Sequence, residues 1–256
     1  MAPAFTDADF DKPVVPLSLG SFDVIAEIKQ RSPAEGKLGR KLGTGHHISN
    51  GSSYLSSDLI ARAQAYAAGG AAAISVLTEP SRFDGELSHL EEVVAAVPGT
   101  PVMRKDFLVE PVQVLEGRKA GASGVLLITT MLSDAKLRAM LDCALEHNMF
   151  VLLESFDEED LRRSAGFLDA GGDLLIGVNT RDLRTLEVDA ERLQRLAPLL
   201  PDAKCVAESG QHVAEDAARA KGWGYSMALV GTALMRSDDP AALIMAMRDA
   251  GSAACS

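Results

Sequence analysis

The stretch Pro111-Val112-Gln113-Val114-Leu115-Glu116-Gly117-Arg118-Lys119-Ala120-Gly121-Ala122-Ser123-Gly124-Val125-Leu126-Leu127-Ile128 carries the pattern that decides the fold. Pro111 stands where proline is favoured, in the first turn of a helix, and Gly121 is the glycine that closes one. The apolar run 122–128 follows at once, and its length and branched residues suit a buried strand. The same junction, a helix ending at glycine with a short apolar strand behind it, recurs at Gly69-Gly70, Gly171-Gly172 and Gly222/Gly224.

Outward from that junction, strands are expected at 23–29, 71–77, 101–104, 122–128, 150–154, 174–179, 204–208 and 226–230. Helices are expected between and after them at 58–68, 86–96, 111–121, 133–147, 157–166, 188–198, 213–221 and 240–249, with Asp58 as N-cap of the first. Short strands rich in Val, Ile and Leu are what parallel strands covered on both faces look like. Eight such strands alternating with eight helices over 256 residues point to one α/β domain, a single (β/α)8 TIM barrel. A doubly wound open sheet is the alternative, but no GxGxxG follows the first strand. Residues 1–20 read as a loop-like N-terminal extension. Residues 37–57 form a long loop rich in glycine, serine and histidine after the first strand, read as a mobile lid or as disorder.

Composition narrows the function. A chain 47% hydrophobic can bury a large core, and a net charge of −11 argues against a nucleic-acid surface. An anionic substrate would therefore be held by a few local cations and backbone dipoles. Cys143, Cys205 and Cys255 show no CxxC spacing and read as reduced thiols. No signal peptide is visible, and no apolar run approaches the roughly 20 residues of a membrane span. These features suggest a cytoplasmic protein with no membrane or nucleic-acid partner, a monomer or weak homo-oligomer.

In a (β/α)8 barrel the C-terminal strand ends share one face, where active sites lie. Here those ends carry Glu27 and Lys29, Lys105, Glu154, Asn179 with Arg181, and Glu208 with Ser209. Glu27 and Lys29 lie two residues apart, hence on one side of their strand. Each group alone has a plainer reading: Lys105-Asp106 as a surface salt bridge, Arg181-Asp182 as a loop pair, Asn179 as a turn residue. Five strands ending this way on one rim favour a functional cluster in which neighbouring charges tune one another's protonation. After the seventh and eighth strands, Ser209-Gly210 and Gly231-Thr232 offer backbone N–H groups bared by glycine, the latter at the start of a short extra helix. That arrangement suits a phosphate. His46-His47 has no third partner, so no metal site is expected.

These residues resemble the indole-3-glycerol phosphate synthase family. The matching stretches are Ile25-Ala26-Glu27-Ile28-Lys29 with Ser32-Pro33, Ser75-Val76-Leu77-Thr78 with Phe83-Asp84-Gly85, Arg104-Lys105-Asp106-Phe107, Leu153-Glu154, Gly177 to Leu183, Ala207-Glu208-Ser209-Gly210 and Val230 to Met235. The resemblance implies a carboxy-lyase of tryptophan biosynthesis with a phosphorylated small-molecule substrate, 1-(2-carboxyphenylamino)-1-deoxyribulose 5-phosphate, and no cofactor. It casts Lys105 as general acid in ring closure and Glu154 and Glu27 as proton-handling carboxylates. Lys29 would be a second acid or a partner of the aromatic carboxylate. Asn179, Arg181, Glu208 and Ser209 would orient the substrate and the lysines. Ser32, Gly210, Gly231 and Thr232 would hold phosphate, and Phe83, Phe107, Leu126 and Leu186 would line the aromatic pocket. Ring closure needs an acid at a developing alkoxide, which a lysine with a depressed pKa supplies near neutral pH. The chain departs from the family in a shortened N-terminal extension and a lengthened first loop. The departures leave open a diverged paralogue acting on a substituted substrate. A Schiff-base lyase or aldolase on a phosphosugar and a non-catalytic phosphate binder are the other readings.

Overall fold

The computed structural model describes residues 5–32, 36–37, 51–182 and 185–254. Strands β1 (Asp23–Ile28), β2 (Ala73–Leu77), β3 (Val102–Lys105), β4 (Gly124–Ile128), β5 (Phe150–Ser155), β6 (Leu174–Asn179), β7 (Lys204–Glu208) and β8 (Met227–Val230) pair in parallel in chain order. β8 returns to β1, with Asp23 opposite Met227, so the sheet closes into a barrel without an edge. The principal helices around it are α1 (Gly51–Ala68), α2 (Leu87–Ala96), α3 (Pro111–Ala120), α4 (Asp134–Glu146), α5 (Glu158–Ala165), α6 (Arg192–Leu196), α7 (Ala214–Gly222) and α8 (Pro240–Ala253). The expected single (β/α)8 barrel is therefore present.

Its junctions follow from local chemistry. Pro111 opens α3, and Gly121 ends it at φ 100°, a left-handed conformation that costs glycine little. Ser133 accepts a hydrogen bond from the Lys136 amide to start α4. Two expectations are corrected. α1 begins at Gly51, so Asp58 lies inside it and is not its N-cap, and residues 51–57 are helix, not loop. The sixth helix is only Arg192–Leu196, because the chain before it makes a bridge between Arg181 and Val188 and Pro198 lies in a 3-10 turn. The rest of the anticipated lid, residues 38–50 with His46-His47, lies outside the described residues.

The barrel has two apolar layers. Outward-facing residues such as Val24, Ala26, Val102, Val125, Val151 and Ile176 pack against the helices. Inward-facing residues, among them Ile25, Met103, Leu126, Leu152, Leu175, Val206 and Leu229, fill the interior. Side chains alternate along a strand, so the residue two beyond each interior one is again inward. That rule sends Glu27, Lys105, Glu154, Gly177 and Glu208 to the mouth. At the opposite end, Val15 N–H donates to Ser123 Oγ at 2.9 Å and Lys12 Nζ to the Ala120 carbonyl at 3.1 Å, while Leu17 and Leu19 pack on the interior cluster. The N-terminal segment thus covers the bottom of the barrel.

Gly124 lets the Phe150 ring lie across β4, where any Cβ would overlap the ring. Gly124→Ala should overpack this layer and cost about 1–3 kcal/mol, read as a lowered midpoint in urea denaturation.

Candidate active site

β1 ends in Glu27 and Lys29, and Lys29 Nζ donates to Glu27 Oε1 at 2.7 Å. Across the mouth, Lys105 Nζ at the end of β3 lies 3.3 Å from Glu154 Oε2 at the end of β5, the glutamate side chain being 1% exposed. Glu208, from β7, is also buried, and neither of its carboxyl oxygens meets a donor. Two glycines make these placements possible. A Cβ at Gly177 would collide with Glu208 Oε1, and one at Gly231 would collide with Glu27 and Lys29.

Asn179 Oδ1, at the end of β6, accepts from the Arg181 amide and from Ser209 Oγ, both at 2.9 Å. Ser209 has φ 64°, a left-handed conformation whose cost for a non-glycine residue is about 1–3 kcal/mol. Its bond to Asn179 helps hold it there. Arg181 Nη1 donates to the Leu186 carbonyl at 2.8 Å, and Arg192 Nη1 donates to the Asn179 carbonyl at 2.8 Å.

The plain reading of Lys105-Asp106 as a salt bridge is not what forms. Alternation along β3 turns Arg104 outward and Lys105 inward, so Asp106 Oδ2 receives Arg104 Nη2 at 3.1 Å and Lys105 reaches Glu154. The expected depression of Lys105 is also reversed. Burial opposes its charge, but the carboxylates of Glu154, Glu27 and Glu208 outweigh burial and hold the ammonium above the ordinary lysine range. Glu27 is held below the usual carboxylate range, because Lys29, Lys105 and Arg181 together overcome its burial. Glu208 moves the other way. Burial first, and then the facing Glu154 carboxylate, push it well above the usual range. A protonated Glu208 can donate to the Glu154 carboxylate, so Glu208 keeps a proton where a free carboxylate would lose it.

The mouth is divided into two adjoining hollows. One, of about 550 Å³ including space open to solvent, is walled by Leu77, Phe83, Phe107, Leu126 and Ile128. The other, of about 440 Å³, is walled by Glu208, Gly210, Gln211, His212, Leu229, Gly231 and Thr232. Glu27, Lys29, Lys105, Asn179, Arg181 and Ser209 border both. The geometry therefore presents an aromatic-lined half, a polar half with glycine-bared backbone, and a charged seam between them. Such a seam presents charges of both signs next to a bound molecule.

Of the residues picked from the sequence, Leu186 and Ser32 border neither half. Leu186 sits in the loop after β6 at φ 65° and contributes its carbonyl to Arg181. Ser32 is buried in a two-residue antiparallel hairpin, Arg31–Ser32 with Gly36–Lys37, beyond β1. Leu77, Glu79, Ile128 and Gln211 were not anticipated. Leu77 and Ile128 were legible as inward positions at strand ends, whereas nothing local marks Glu79 or Gln211. Glu79 accepts from the Ser81 and Arg82 amides and so starts the short helix Pro80–Phe83 that carries Phe83. A further hollow, of about 630 Å³, lies under the N-terminal segment at the other end, with Lys12 and Glu91 its charged lining residues. It has none of the charged strand ends. Among the described residues no group of His, Cys, Asp and Glu could hold a metal ion, and no helix is long and apolar enough to cross a membrane.

The family model for indole-3-glycerol phosphate synthase matches residues 16–247. An indole-3-glycerol phosphate synthase of Nocardioides sp. is 43% identical over 245 residues, covering 94% of this chain and 86% of its own. The Methanopyrus kandleri protein of the same name is 42% identical over 238 residues, covering 92% and 86%. Among solved structures, a 3-hexulose-6-phosphate synthase superposes with TM-score 0.64 at 16% identity, covering 90% of this chain and 99% of its own. The Salmonella typhimurium enzyme of that name gives 0.62 at 13%, covering 90% and 98%. At that identity the likeness concerns the barrel alone.

The raised Glu208 carboxyl has a consequence for stability. Its unfolded value is the ordinary 4.5. Above that pH the unfolded chain has lost a proton that the folded chain keeps, so this group's contribution falls as pH rises towards the folded value. Glu208→Gln removes the slope. Its urea midpoint should gain on the parent's between about pH 5 and pH 8, and parallel midpoints over that range would show Glu208 already ionised in the folded protein.

Proposed function

Since the chain belongs to the indole-3-glycerol phosphate synthase family, a family of carboxy-lyases, we propose that its barrel mouth converts 1-(2-carboxyphenylamino)-1-deoxyribulose 5-phosphate to indole-3-glycerol phosphate, CO2 and water. The observation that carries this reading is the charged seam between an aromatic-lined and a polar hollow, with Lys105 beside Glu154.

The carboxyphenyl ring enters the half walled by Phe83, Phe107 and Leu126, and the phosphate enters the half walled by Gly210, Gly231 and Thr232. Lys29 and Arg181, which border both halves, supply positive charge in an otherwise acidic protein. The ketose carbonyl then lies at the seam. The ring carbon bearing the carboxylate attacks it, a carbon–carbon bond forms, and negative charge develops on the carbonyl oxygen. Lys105 donates its proton there. A lysine held above its ordinary range stays protonated at neutral pH, and it is still acidic enough to protonate an alkoxide, so its raised pKa does not impair this step.

Attack leaves the ring non-aromatic and electron-poor. Breaking the bond to the carboxylate returns an electron pair to the ring and releases CO2. Loss of the new hydroxyl as water needs an acid at that oxygen and a base for the departing proton. Glu154 and Glu27 flank the seam for this work, with Glu208 as the protonated neighbour of Glu154. Asn179 and Ser209 orient the substrate through the strained turn after β7. A Schiff base at Lys105 is disfavoured, since a nucleophilic lysine needs a depressed pKa and Lys105 has the reverse.

Mixing the protein with this substrate should develop indole-type fluorescence. Lys105→Ala should lower kcat by about 10²- to 10⁴-fold, the usual contribution of a general acid. Parent-like turnover by Lys105→Ala would remove Lys105 from the mechanism.

A further inference from the structure

At the edge of the aromatic-lined hollow, which Asp106 itself borders, three side chains form a closed cycle of hydrogen bonds. Thr78 Oγ1 donates to Asp106 Oδ2 at 2.6 Å, Arg104 Nη2 donates to the same oxygen at 3.1 Å, and Arg104 Nε donates to Thr78 Oγ1 at 3.2 Å. The second oxygen of Asp106 accepts the Phe107 amide at 2.8 Å. Arg104 continues outward, donating to the Gln113 carbonyl at 2.7 Å on α3, and its stem lies over Gly117. Thr78 is 4% and Arg104 6% exposed.

The barrel does not need this cycle to join β2 to β3. Their backbones already pair from Ile74–Val102 to Leu77–Lys105, and the Thr78 amide extends the ladder to the Lys105 carbonyl. A buried arginine–aspartate pair is also a poor source of net stability, because desolvation offsets much of the attraction. What the cycle adds is geometry just past the strand ends. Thr78 directly precedes Glu79, which starts the short helix bearing Phe83, and Asp106 directly precedes Phe107. The roots of the two rings are thus tied to one carboxylate, and the ring centroids stand 6.4 Å apart at 49°.

The geometry points to Asp106, acting with Thr78 and Arg104, as the positioning residue that sets the spacing of Phe83 and Phe107 and thereby the fit of a substrate's aromatic ring. This rests on the proposed function only in assigning the ring to the apolar half. The loss should therefore appear in binding more than in chemistry, because the cycle touches neither Glu154 nor the polar half.

Thr78→Val tests it, since it keeps the branched shape and the Arg104–Asp106 pair but opens the cycle. We expect KM for the carboxyphenylamino substrate to rise about tenfold with kcat within about twofold, the pattern of lost ground-state binding. Thr78→Ser, which restores the hydroxyl, should return KM to the parent value. Binding of 2-aminobenzoate, the aromatic portion alone, followed by NMR titration, should weaken in parallel. If Thr78→Val lowers only the melting temperature and leaves KM and 2-aminobenzoate binding unchanged, the cycle is structural and the inference fails. It fails equally if 2-aminobenzoate does not bind the parent. If the parent binds 2-aminobenzoate, loses it in Thr78→Val, yet turns over no substrate, the positioning role stands and the proposed function falls.

Discussion

Charge compensation at the barrel mouth is the constraint on which the rest of the site depends. Glu27, Glu154 and Glu208 arrive from three strands and Lys29 and Lys105 from two, at positions sheltered from water. No isolated carboxylate or ammonium could be held so deep, because burial disfavours the charged form. Here each lysine has a glutamate partner, and the remaining glutamate is accommodated by keeping a proton. The fixed positions of the groups and their protonation follow from the same arrangement, and in the proposed function a substrate meets acids and bases already in place. Glycines at 177 and 231 are part of it, since they leave room for the carboxylates.

Strand β3 shows how little sequence is needed to separate structural work from chemical work. Arg104 faces out and braces Asp106, Thr78 and α3, while its neighbour Lys105 faces in. The brace fixes the loop that carries Phe107, and the inward lysine meets Glu154. A rigid strand with a strong outer anchor is a suitable mount for a group that must be placed accurately.

Much of this was legible from the chain. Glycine-terminated helices followed by short apolar runs announced the barrel, because a left-handed helix end and a buried parallel strand each have strong local signatures. The strand-end residues Glu27, Lys105, Asn179 and Glu208 were legible for a related reason: apolar bodies fix which positions face inward, and the first polar residue of that parity marks the rim. Pairing was not legible. Lys105 stands beside Asp106 in sequence but opposite Glu154 in space, and only the closed barrel decides between them. The same holds for the upward shift of Lys105, which is set by carboxylates from other strands. Leu186 and Ser32 border neither hollow, and their direction was not legible because it depends on backbone turns, such as Leu186 at φ 65°, that apolar periodicity does not encode.

In the proposed function the two hollows bind opposite ends of one molecule and Lys105 acts at the seam between them. A crystal structure with indole-3-glycerol phosphate bound tests it most directly. The indole should lie against Phe83 and Phe107, the phosphate against the Gly210 and Gly231-Thr232 backbone, and Lys105 Nζ should point at the newly formed ring. A ligand bound with its ends reversed, or in the hollow beneath the N-terminal segment, would contradict the account.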